Sequence, residues 1–327
     1  MSGETPARRP RRWPYVLIIL ILVLVGAAWW RMGSVIVEQA PPGSPGYHAT
    51  GMLPLEFIVA TYNVQARPWF DDTGYKFDGI SPKLNPFDLV GIQECFKDHE
   101  DLWEGTTHPV RIYDGRLKNW YRSVGSGLST LSRFPVTEVI TEHFAQSGDF
   151  QNKPASKGMV LARADLGNGL VLDFYNTHLT AGSKEENKTA RPAQVRQLIE
   201  FVKRNSPPEH LVIFGGDYNL RAHDLDTSLP ADYPADLVGL NRGQLLTAIC
   251  KELGFTDASE TITGAIPEIV DHILYRSSST HDLVPLTWQH DTETFFAPDG
   301  RPLSDHEPLI ATFRVTEKTT TAEAPAE

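Results

Sequence analysis

The sequence predicts an α/β fold in which a mixed β-sheet is covered by helices. Apolar residues at helical spacing predict helices over 184–205 and 243–253. The dipeptide Asn168-Gly169 predicts a tight hairpin between two strands. Eight short segments rich in Val, Ile, Phe and Tyr and bounded by turn residues predict strands: EFIVATYNV (56–64), DLVGIQE (88–94), GLSTLSRFPV (127–136), GMVLARADL (158–166), GLVLDFYNTHL (169–179), LVIFGGDYNL (211–220), IVDHILYR (269–276) and EPLIATFRV (307–315).

The chain has enough apolar residues for a sizeable core, and most of it is acidic. Of its 327 residues, 41% are hydrophobic and 22% are charged. The first 31 residues hold five arginines and one glutamate; without them, the 30 basic and 41 acidic residues of the chain become 25 and 40, a net charge of −15. A body this acidic lacks the basic surface of a general DNA or RNA binder, so nucleic acid is the less favoured partner.

The N-terminus has the pattern of a membrane-targeting segment. Residues 1–13 are basic, and residues 14–30 carry no charge. One interpretation is a single-pass transmembrane helix over 14–30, a signal anchor with a basic cytoplasmic tail over 1–13, because an anchor needs ~17–25 apolar residues. The other is a cleaved signal peptide, with the small residues 26–28 as its cleavage site. Both interpretations place the remaining chain outside the cytoplasm, either membrane-anchored or secreted.

Composition divides the rest of the chain into three parts. Proline and glycine predict a linker over 31–52, residues 53–316 contain all the predicted strands, and the polar residues 317–327 predict a disordered tail. Cys95 and Cys250 could pair in an oxidising compartment. Their positions, beside an apolar run and in a predicted helix, favour two buried free thiols.

Polar side chains recur where the predicted strands end or begin. One such residue is ordinary turn chemistry, but chance seldom places so many at the same end of six strands. Because ligand sites in open α/β sheets gather at strand ends, the set predicts an active-site cleft. Its members are Asn63, Glu94, Asn176, His178, Asp217, Asn219, Asp271, Asp305 and His306.

The segment LVIFGGDYNL illustrates the pattern. Its apolar run predicts a buried strand, and Gly215 and Gly216 would let the backbone pass close to its neighbours or to a substrate. Asp217 and Asn219 would then emerge on one face of the strand, because side chains alternate with a period of two.

The order of these polar residues, N…QE…THL…GDxN…D…SDH, resembles that of the endonuclease/exonuclease/phosphatase superfamily. The resemblance covers about residues 54–315, and GDYN and SDH are its most specific motifs. The superfamily includes pancreatic-type deoxyribonucleases, abasic-site endonucleases, inositol polyphosphate phosphatases and neutral sphingomyelinases. The resemblance implies a deoxyribonuclease-like four-layer α/β/β/α sandwich and makes residues 53–316 the catalytic domain of a metal-dependent phosphoric diester hydrolase.

The residue types in the set suit the hydrolysis of a phosphodiester. Hard carboxylate oxygens favour Mg²⁺, so Glu94, with Asn63 beside it, fits a metal-binding role. Asp305 could supply a further ligand, directly or through water. Histidine is the natural proton carrier near pH 7, which makes His306 the candidate base.

The resemblance implies further roles for individual residues. It pairs His306 with the carboxylate of Asp271, which would orient the imidazole and make it more basic. It gives Asp217 the task of positioning the attacking water. It makes Asn219 and His178 hydrogen-bond donors to the phosphoryl oxygens.

A phospholipid is the favoured substrate. The segments SKGMVLARADL, THLTAG and SGLSTLSRFPV are similar to segments of the neutral sphingomyelinases, and a membrane tether suits a lipid substrate. Asn176 and Lys157 are assigned to substrate binding. We therefore expect a monomeric, Mg²⁺-dependent phosphodiesterase that acts on a phospholipid such as sphingomyelin, with Mn²⁺ as the alternative metal.

Three other functions stay open. A nuclease of the deoxyribonuclease type would need basic clusters to neutralise phosphates, which the acidic body does not favour. An inositol polyphosphate phosphatase would need a basic pocket, and Lys153, Lys184 and Lys188 beside Lys157 could form only a modest one. A non-catalytic, membrane-tethered binding scaffold would not need the full set of acid–base residues.

Overall fold

Two β-sheets packed face to face form the centre of the molecule. The computed structural model describes residues 18–23, 25–26, 33–48, 51–222 and 228–318. Numbered in chain order, the strands of the first sheet are β1 (Val35–Gln39), β2 (Leu55–Ala66), β3 (Leu89–Cys95), β4 (Val110–Asp114), β5 (Leu128–Ser132), β12 (His281–His290) and β13 (Leu309–Glu317). Their order across the sheet is β1-β4-β5-β3-β2-β13-β12.

The second sheet has six strands in the order β10-β11-β9-β8-β7-β6. In both sheets one pair of neighbours is parallel, β2 with β3 and β8 with β9, so both sheets are mixed. The strands are β6 (Val136–His143), β7 (Gly158–Asp165), β8 (Val171–His178), β9 (Leu211–Asp217), β10 (Thr256–Asp257) and β11 (Asp271–Arg276). Among residues 51–318, the described helices are α1 (Thr73–Leu84), α2 (His99–Glu104), α3 (Glu185–Asn205), α4 (Arg242–Leu253) and α5 (Ala258–Thr263).

The hydrophobic core is divided into layers by the two sheets. Phe57 and Phe313 of the first sheet meet Phe174 and Ile213 of the second in one buried cluster between the sheets. On the outer face of the second sheet, α3 and α4 bury their apolar residues, and on the outer face of the first sheet α1 and α2 do the same. The predicted mixed α/β sandwich with helices outside is therefore confirmed.

Several local predictions are also confirmed. Asn168 and Gly169 have φ angles of 54° and 78°, as the hairpin between β7 and β8 requires. Both cysteines are free, although Cys250 is only partly buried.

The predicted strand 127–136 is wrong in its middle. The chain leaves the first sheet after Ser132 and enters the second at Val136.

The predicted N-terminal anchor over 14–30 falls mostly outside the described residues. Its described residues, 18–23 and 25–26, are helical and exposed. In the described part of the chain, no helix is long and apolar enough to cross a membrane. The predicted tail also lies outside the description from residue 319 onward, but Glu317 is the last residue of β13.

The predicted linker over 31–52 is wrong in part, because Val35–Gln39 is strand β1. This strand pairs antiparallel with β4 over five residues, from Val35 opposite Asp114 to Gln39 opposite Val110. The flanking prolines and glycines predicted a linker, whereas the short apolar run over 35–37 forms a strand by pairing with the edge strand β4. The folded domain therefore begins about twenty residues earlier than the composition suggests.

The contribution of β1 to stability can be measured with two adjacent residues. Ile36 is partly buried against the core of the first sheet, so Ile36→Ser should lower the free energy of unfolding by about 1–2 kcal/mol. Val37 faces the other way and is 47% exposed, so Val37→Ser should change it by less than ~0.5 kcal/mol. Urea denaturation of the full chain measures both. Equal, small effects would mean that β1 adds nothing to the core.

Candidate active site

The predicted polar strand ends meet at one edge of the sandwich. In the second sheet, His178 at the end of β8 lies beside Asp217 at the end of β9, and Asp217 lies opposite Asp271 at the start of β11. The ends of β2 and β3, which carry Asn63 and Glu94, reach the same edge in the first sheet. The site is therefore built between the two sheets.

The two glycines before Asp217 allow close approach on both sides of β9. A Cβ atom on Gly216 would lie 2.5 Å from the carbonyl oxygen of Thr177 in the neighbouring strand. A Cβ atom on Gly215 would lie 3.2 Å from the Cβ of Thr61 in the opposite sheet. Larger residues here would push the strands or the sheets apart and displace Asp217.

His306 and Asp271 form a hydrogen-bonded pair across the two sheets. The Nδ1 atom of His306 lies 2.8 Å from Oδ2 of Asp271, and its Nε2 lies 3.9 Å from Oδ2 of Asp217. Burial opposes a charge on the imidazole, but the hydrogen bond to Asp271 and the nearby carboxylates outweigh it and raise the pKa of His306 to about 10. The side chain is 20% exposed, so its Nε2 is accessible from the cleft.

The loop that carries His306 is held by a serine. Ser304 Oγ donates a hydrogen bond of 2.6 Å to the carbonyl oxygen of Asn63 and accepts one of 3.3 Å from the backbone N–H of His306. These contacts join the loop between β12 and β13 to the end of β2. Ser304 was not predicted, although it is the first residue of the SDH motif.

Asp217 is the centre of the hydrogen-bond network. Its Oδ2 accepts from Asn63 Nδ2 at 3.1 Å, and its Oδ1 accepts from the backbone N–H and Nδ2 of Asn219 at 3.0 and 2.9 Å. Burial, followed by the charge of Asp271, raises the pKa of Asp217. Asn219 has a φ of 49°, a left-handed conformation that asparagine tolerates better than most residues.

His178 joins the network as a neutral imidazole. Its Nε2 lies 3.3 Å from Oδ2 of Asp217 and 2.8 Å from Nζ of Lys157, which also donates to the carbonyl oxygen of Leu179. Burial, followed by the charges of Lys157 and His306, holds the pKa of His178 well below its usual value. The predicted residue His178 thus contacts both Lys157 and Asp217.

Glu94 and Asp305 are carboxylates on the open side of the cluster. Glu94 Oε1 lies 3.9 Å from Nε2 of His178, and Asp305 is exposed. A hydrogen bond to Asp71 raises the pKa of Arg67, and the charges of Glu94 and Asp305 act in the same direction. Both carboxylates therefore lie within electrostatic reach of Arg67, which was not predicted.

The donor set fits a hard divalent cation. Asp217, Asp271 and His306 each offer a ligand atom, and these atoms lie within 4.8 Å of one another. The Oδ1 atom of Asp271 is buried and has no hydrogen-bond partner among the described residues. Glu94 makes no side-chain hydrogen bond within the described ranges, which leaves its carboxylate oxygens available. The carboxylate oxygens of Asp217, Asp271 and Glu94 suit Mg²⁺ or Mn²⁺, whereas the imidazole nitrogen of His306 is a less typical ligand of these ions.

Asn176 does not join the cluster. Its side chain lies deep between the sheets, where Nδ2 donates to the carbonyl oxygens of Ile92 and Ser129 at 3.0 and 2.9 Å. Its Oδ1 accepts from Gln93 Nε2 at 2.7 Å. The amide is fully hydrogen-bonded within the protein and away from the cleft, so the expected contact with substrate is not supported by its position. Asn176 instead joins the two sheets.

Comparison with known proteins agrees with this geometry. The family model described as "Endonuclease/Exonuclease/phosphatase family" matches residues 60–306. A sphingomyelinase of Mycobacterium tuberculosis is 26% identical over 269 residues, 79% of this chain and 52% of that protein. Human sphingomyelin phosphodiesterase 2 is 29% identical over 258 residues, 70% of this chain and 57% of that protein. The chain thus spans about half the length of these curated relatives.

Solved structures share the fold. Beta toxin of Staphylococcus aureus is 18% identical, with a TM-score of 0.55 over 78% of this chain and 99% of that one. A humanized D. rerio TDP2 is 18% identical, with a TM-score of 0.57 over 79% of this chain and 98% of that one. With two mixed sheets, polar residues gathered at one edge and a family model that matches residues 60–306, this chain belongs to the endonuclease/exonuclease/phosphatase family.

Proposed function

We propose that this chain is a metal-dependent phosphodiesterase that hydrolyses a phospholipid headgroup by the sphingomyelinase reaction. The observation that carries the proposal is the contact of the His306–Asp271 pair with Asp217 at an accessible edge. A binding scaffold would gain nothing from gathering these titratable groups at a cost in desolvation. The curated relatives, which include bacterial sphingomyelinases and sphingomyelin phosphodiesterase 2, support a lipid substrate.

In the proposed mechanism, water attacks the phosphorus from the side of His306 and Asp217. The two side chains lie 3.9 Å apart, close enough for one water to contact both Nε2 and the carboxylate. Asp217 orients this water, and His306, held by Asp271 at 2.8 Å, accepts its proton. The proton then passes to the leaving alkoxide, so the reaction yields phosphocholine and a ceramide alcohol when sphingomyelin is the substrate.

The phosphoryl oxygens gain negative charge in the transition state. We propose that Asn219 and the neutral His178 donate hydrogen bonds to these oxygens. Lys157, whose Nζ lies 2.8 Å from Nε2 of His178, would neutralise part of their charge. In the structure, Nδ2 of Asn219 donates to Asp217 and to the carbonyl oxygen of Leu179, and Nε2 of His178 accepts from Lys157. These hydrogen bonds therefore have to rearrange before Asn219 and His178 can donate to the phosphoryl oxygens.

We propose Mg²⁺ as the metal, with Mn²⁺ as the alternative. Glu94 would hold it, together with Asn63 and with Asp305 directly or through water. When bound, the ion neutralises charge on the phosphoryl oxygens. A solved beta toxin of Staphylococcus aureus with bound magnesium ions supports this choice, because its fold is the same.

We also propose that residues 14–30 attach the chain to a membrane and leave the catalytic domain outside the cytoplasm, as a monomer. The uncharged run over 14–30 and the basic run before it support this arrangement.

A substrate comparison tests the proposed function. The full chain, with Mg²⁺, is incubated separately with sphingomyelin vesicles, plasmid DNA and inositol polyphosphates, each with an EDTA control. We expect release of phosphocholine from the vesicles and its loss in EDTA. Nicked DNA or free phosphate instead would replace the proposed substrate but keep the hydrolytic site. No product from any substrate would favour the scaffold function.

A further inference from the structure

Strand β1 connects the N-terminal segment to the edge of the domain that carries the active site. Because β1 is antiparallel to β4, its first residue, Val35, lies opposite Asp114. The loop after β4, residues 115–127, returns to the catalytic cluster, since the carbonyl oxygen of Gly127 accepts a 2.9 Å hydrogen bond from the N–H of Cys95. Cys95 directly follows Glu94. The chain therefore enters the domain beside the cleft.

The distance from this entry point to the apolar N-terminal segment is short. Gly26 ends the described apolar residues of that segment and Gly33 precedes β1, so six residues lie between them and the path is seven residue steps. Seven residue steps span at most ~25 Å. A free linker over all of 31–52 would have allowed about 73–79 Å. A membrane that holds residues 14–30 must then lie near the active-site edge.

Exposed aromatic side chains concentrate at this same edge. Trp120 is 75% exposed and stands beside the exposed Tyr121 in the loop 115–127, and Phe150 is 70% exposed in the loop 144–157. On the other side of the cleft, the exposed Trp69 and Phe70 follow the end of β2. Monomeric proteins seldom expose so many large aromatic residues together unless another surface covers them.

The loops 115–127 and 144–157 form one continuous surface, which we call the docking ledge. Arg122 donates to Ser147 Oγ at 2.9 Å, and Val124 bridges to Ala155. Lys184 lies 4.7 Å from the ring centre of Phe150. These contacts join the two loops, so their aromatic residues are presented on one surface.

The docking ledge differs in charge from the rest of the protein. Residues 115–127 contain three basic residues, of which Arg122 is buried, and no acidic one. Residues 144–157 contain one aspartate and two lysines, the exposed Lys153 and Lys157 of the catalytic cluster. The chain as a whole carries −11. Aromatic side chains among basic ones are typical of surfaces that lie at a membrane–water interface, where the rings enter the headgroup layer and the cations meet lipid phosphates.

We propose that the docking ledge binds the surface of a lipid bilayer and that β1 orients the domain so that the active-site cleft opens onto it. The proposal rests on the proposed function, since it takes the bilayer as the source of the substrate. Trp120, Tyr121 and Phe150 would enter the headgroup region. The exposed Lys153 and Lys184, which also pairs with Asp149, would contact phosphates at the rim.

Hydrogen exchange on the full chain tests binding separately from catalysis. The His306→Ala variant is used so that the lipid is not consumed, with vesicles of phosphatidylcholine and sphingomyelin. We expect slower exchange in residues 115–127 and 144–157. Exchange should be unchanged in residues 205–210 and 277–281, which lie at the opposite edge. Unchanged exchange in the ledge, or protection only by a single-stranded DNA oligonucleotide, would overturn the proposal.

Variants of the ledge then separate docking from chemistry. In the otherwise unchanged chain, Trp120→Ser combined with Tyr121→Ser should slow phosphocholine release from vesicles at least tenfold. Hydrolysis of a short-chain, water-soluble sphingomyelin analogue should stay the same. Val284→Ser is the matched control, because Val284 is also exposed but lies toward the opposite edge.

The outcomes distinguish the two proposals. If the variant with Trp120→Ser and Tyr121→Ser releases phosphocholine from vesicles as fast as the parent chain, the docking ledge is refuted and the proposed function stands. Vesicle-dependent protection of the ledge in a chain that releases no phosphocholine from either substrate would support docking and refute the proposed function.

Discussion

Replacing His306 with alanine should slow phosphodiester hydrolysis by about 10²–10⁴-fold. The imidazole is the accessible member of the pair with Asp271, and its Nε2 faces Asp217 across 3.9 Å. The loss should be in kcat, because the alanine variant keeps the groups proposed to bind the phosphoryl oxygens. Steady-state kinetics on sphingomyelin vesicles, with circular dichroism to confirm the fold, measure it.

His210 supplies a matched control. Its Nδ1 lies 2.9 Å from Oδ2 of Asp173, and its side chain is 20% exposed, the same fraction as His306. It lies just before β9, at the opposite edge of the sheet. His210→Ala should therefore leave kcat within about twofold of the parent. Near-normal turnover in His306→Ala, or an equal loss in both variants, would contradict the proposed mechanism.

The pH dependence of kcat distinguishes a basic from an acidic role for His306. Burial opposes a charge on the imidazole, but the carboxylates around it outweigh burial and raise its pKa to about 10. If the neutral imidazole accepts the proton of water, kcat should rise as the pH increases toward the pKa of His306 in the metal-bound enzyme. A rate that instead falls above that pKa would show that the imidazolium acts as the acid.

Replacing Glu94 with glutamine should raise the Mg²⁺ concentration needed for half-maximal activity by at least about tenfold, the lower end of the usual effect of weakening a metal site. The carboxylate is partly exposed, and glutamine removes its charge while keeping its size. Titration of activity with Mg²⁺ measures the effect. Isothermal titration of Mg²⁺ into the protein without substrate gives a second readout.

Two further variants locate the metal. Glu56→Gln, at the opposite end of β2 and paired with Arg314, should leave the Mg²⁺ dependence unchanged. Asp271→Asn should lower kcat with little effect on the Mg²⁺ requirement if Glu94 is the main ligand. A Mg²⁺ titration that shifts in Asp271→Asn but not in Glu94→Gln would instead place the ion among Asp217, Asp271 and His306.

Sequence patterns identified the polar residues at the strand ends, but not how far each one lies from the edge of its sheet. Asn176 and His178 are two residues apart, so both face the same side of β8. His178 reaches the catalytic cluster at the edge of the sheet. Asn176 lies two residues further from that edge, between the sheets, and bonds to the carbonyl oxygens of Ile92 and Ser129. Alternation gives the face of a strand, but the distance from the edge depends on where the opposite sheet ends.

The sequence by itself determined seven of the eight predicted strands, the helices α3 and α4, and the order of catalytic-type residues, because these follow from local periodicity and composition. The resemblance also implied the pairing of His306 with Asp271, which the structure contains at 2.8 Å. Only the tertiary structure decided that Asn63 bonds to Asp217 across the sheets and that β1 completes an edge. These contacts join residues distant in the chain. Their geometry is set by strand order and by the packing of one sheet on the other, which no local pattern encodes.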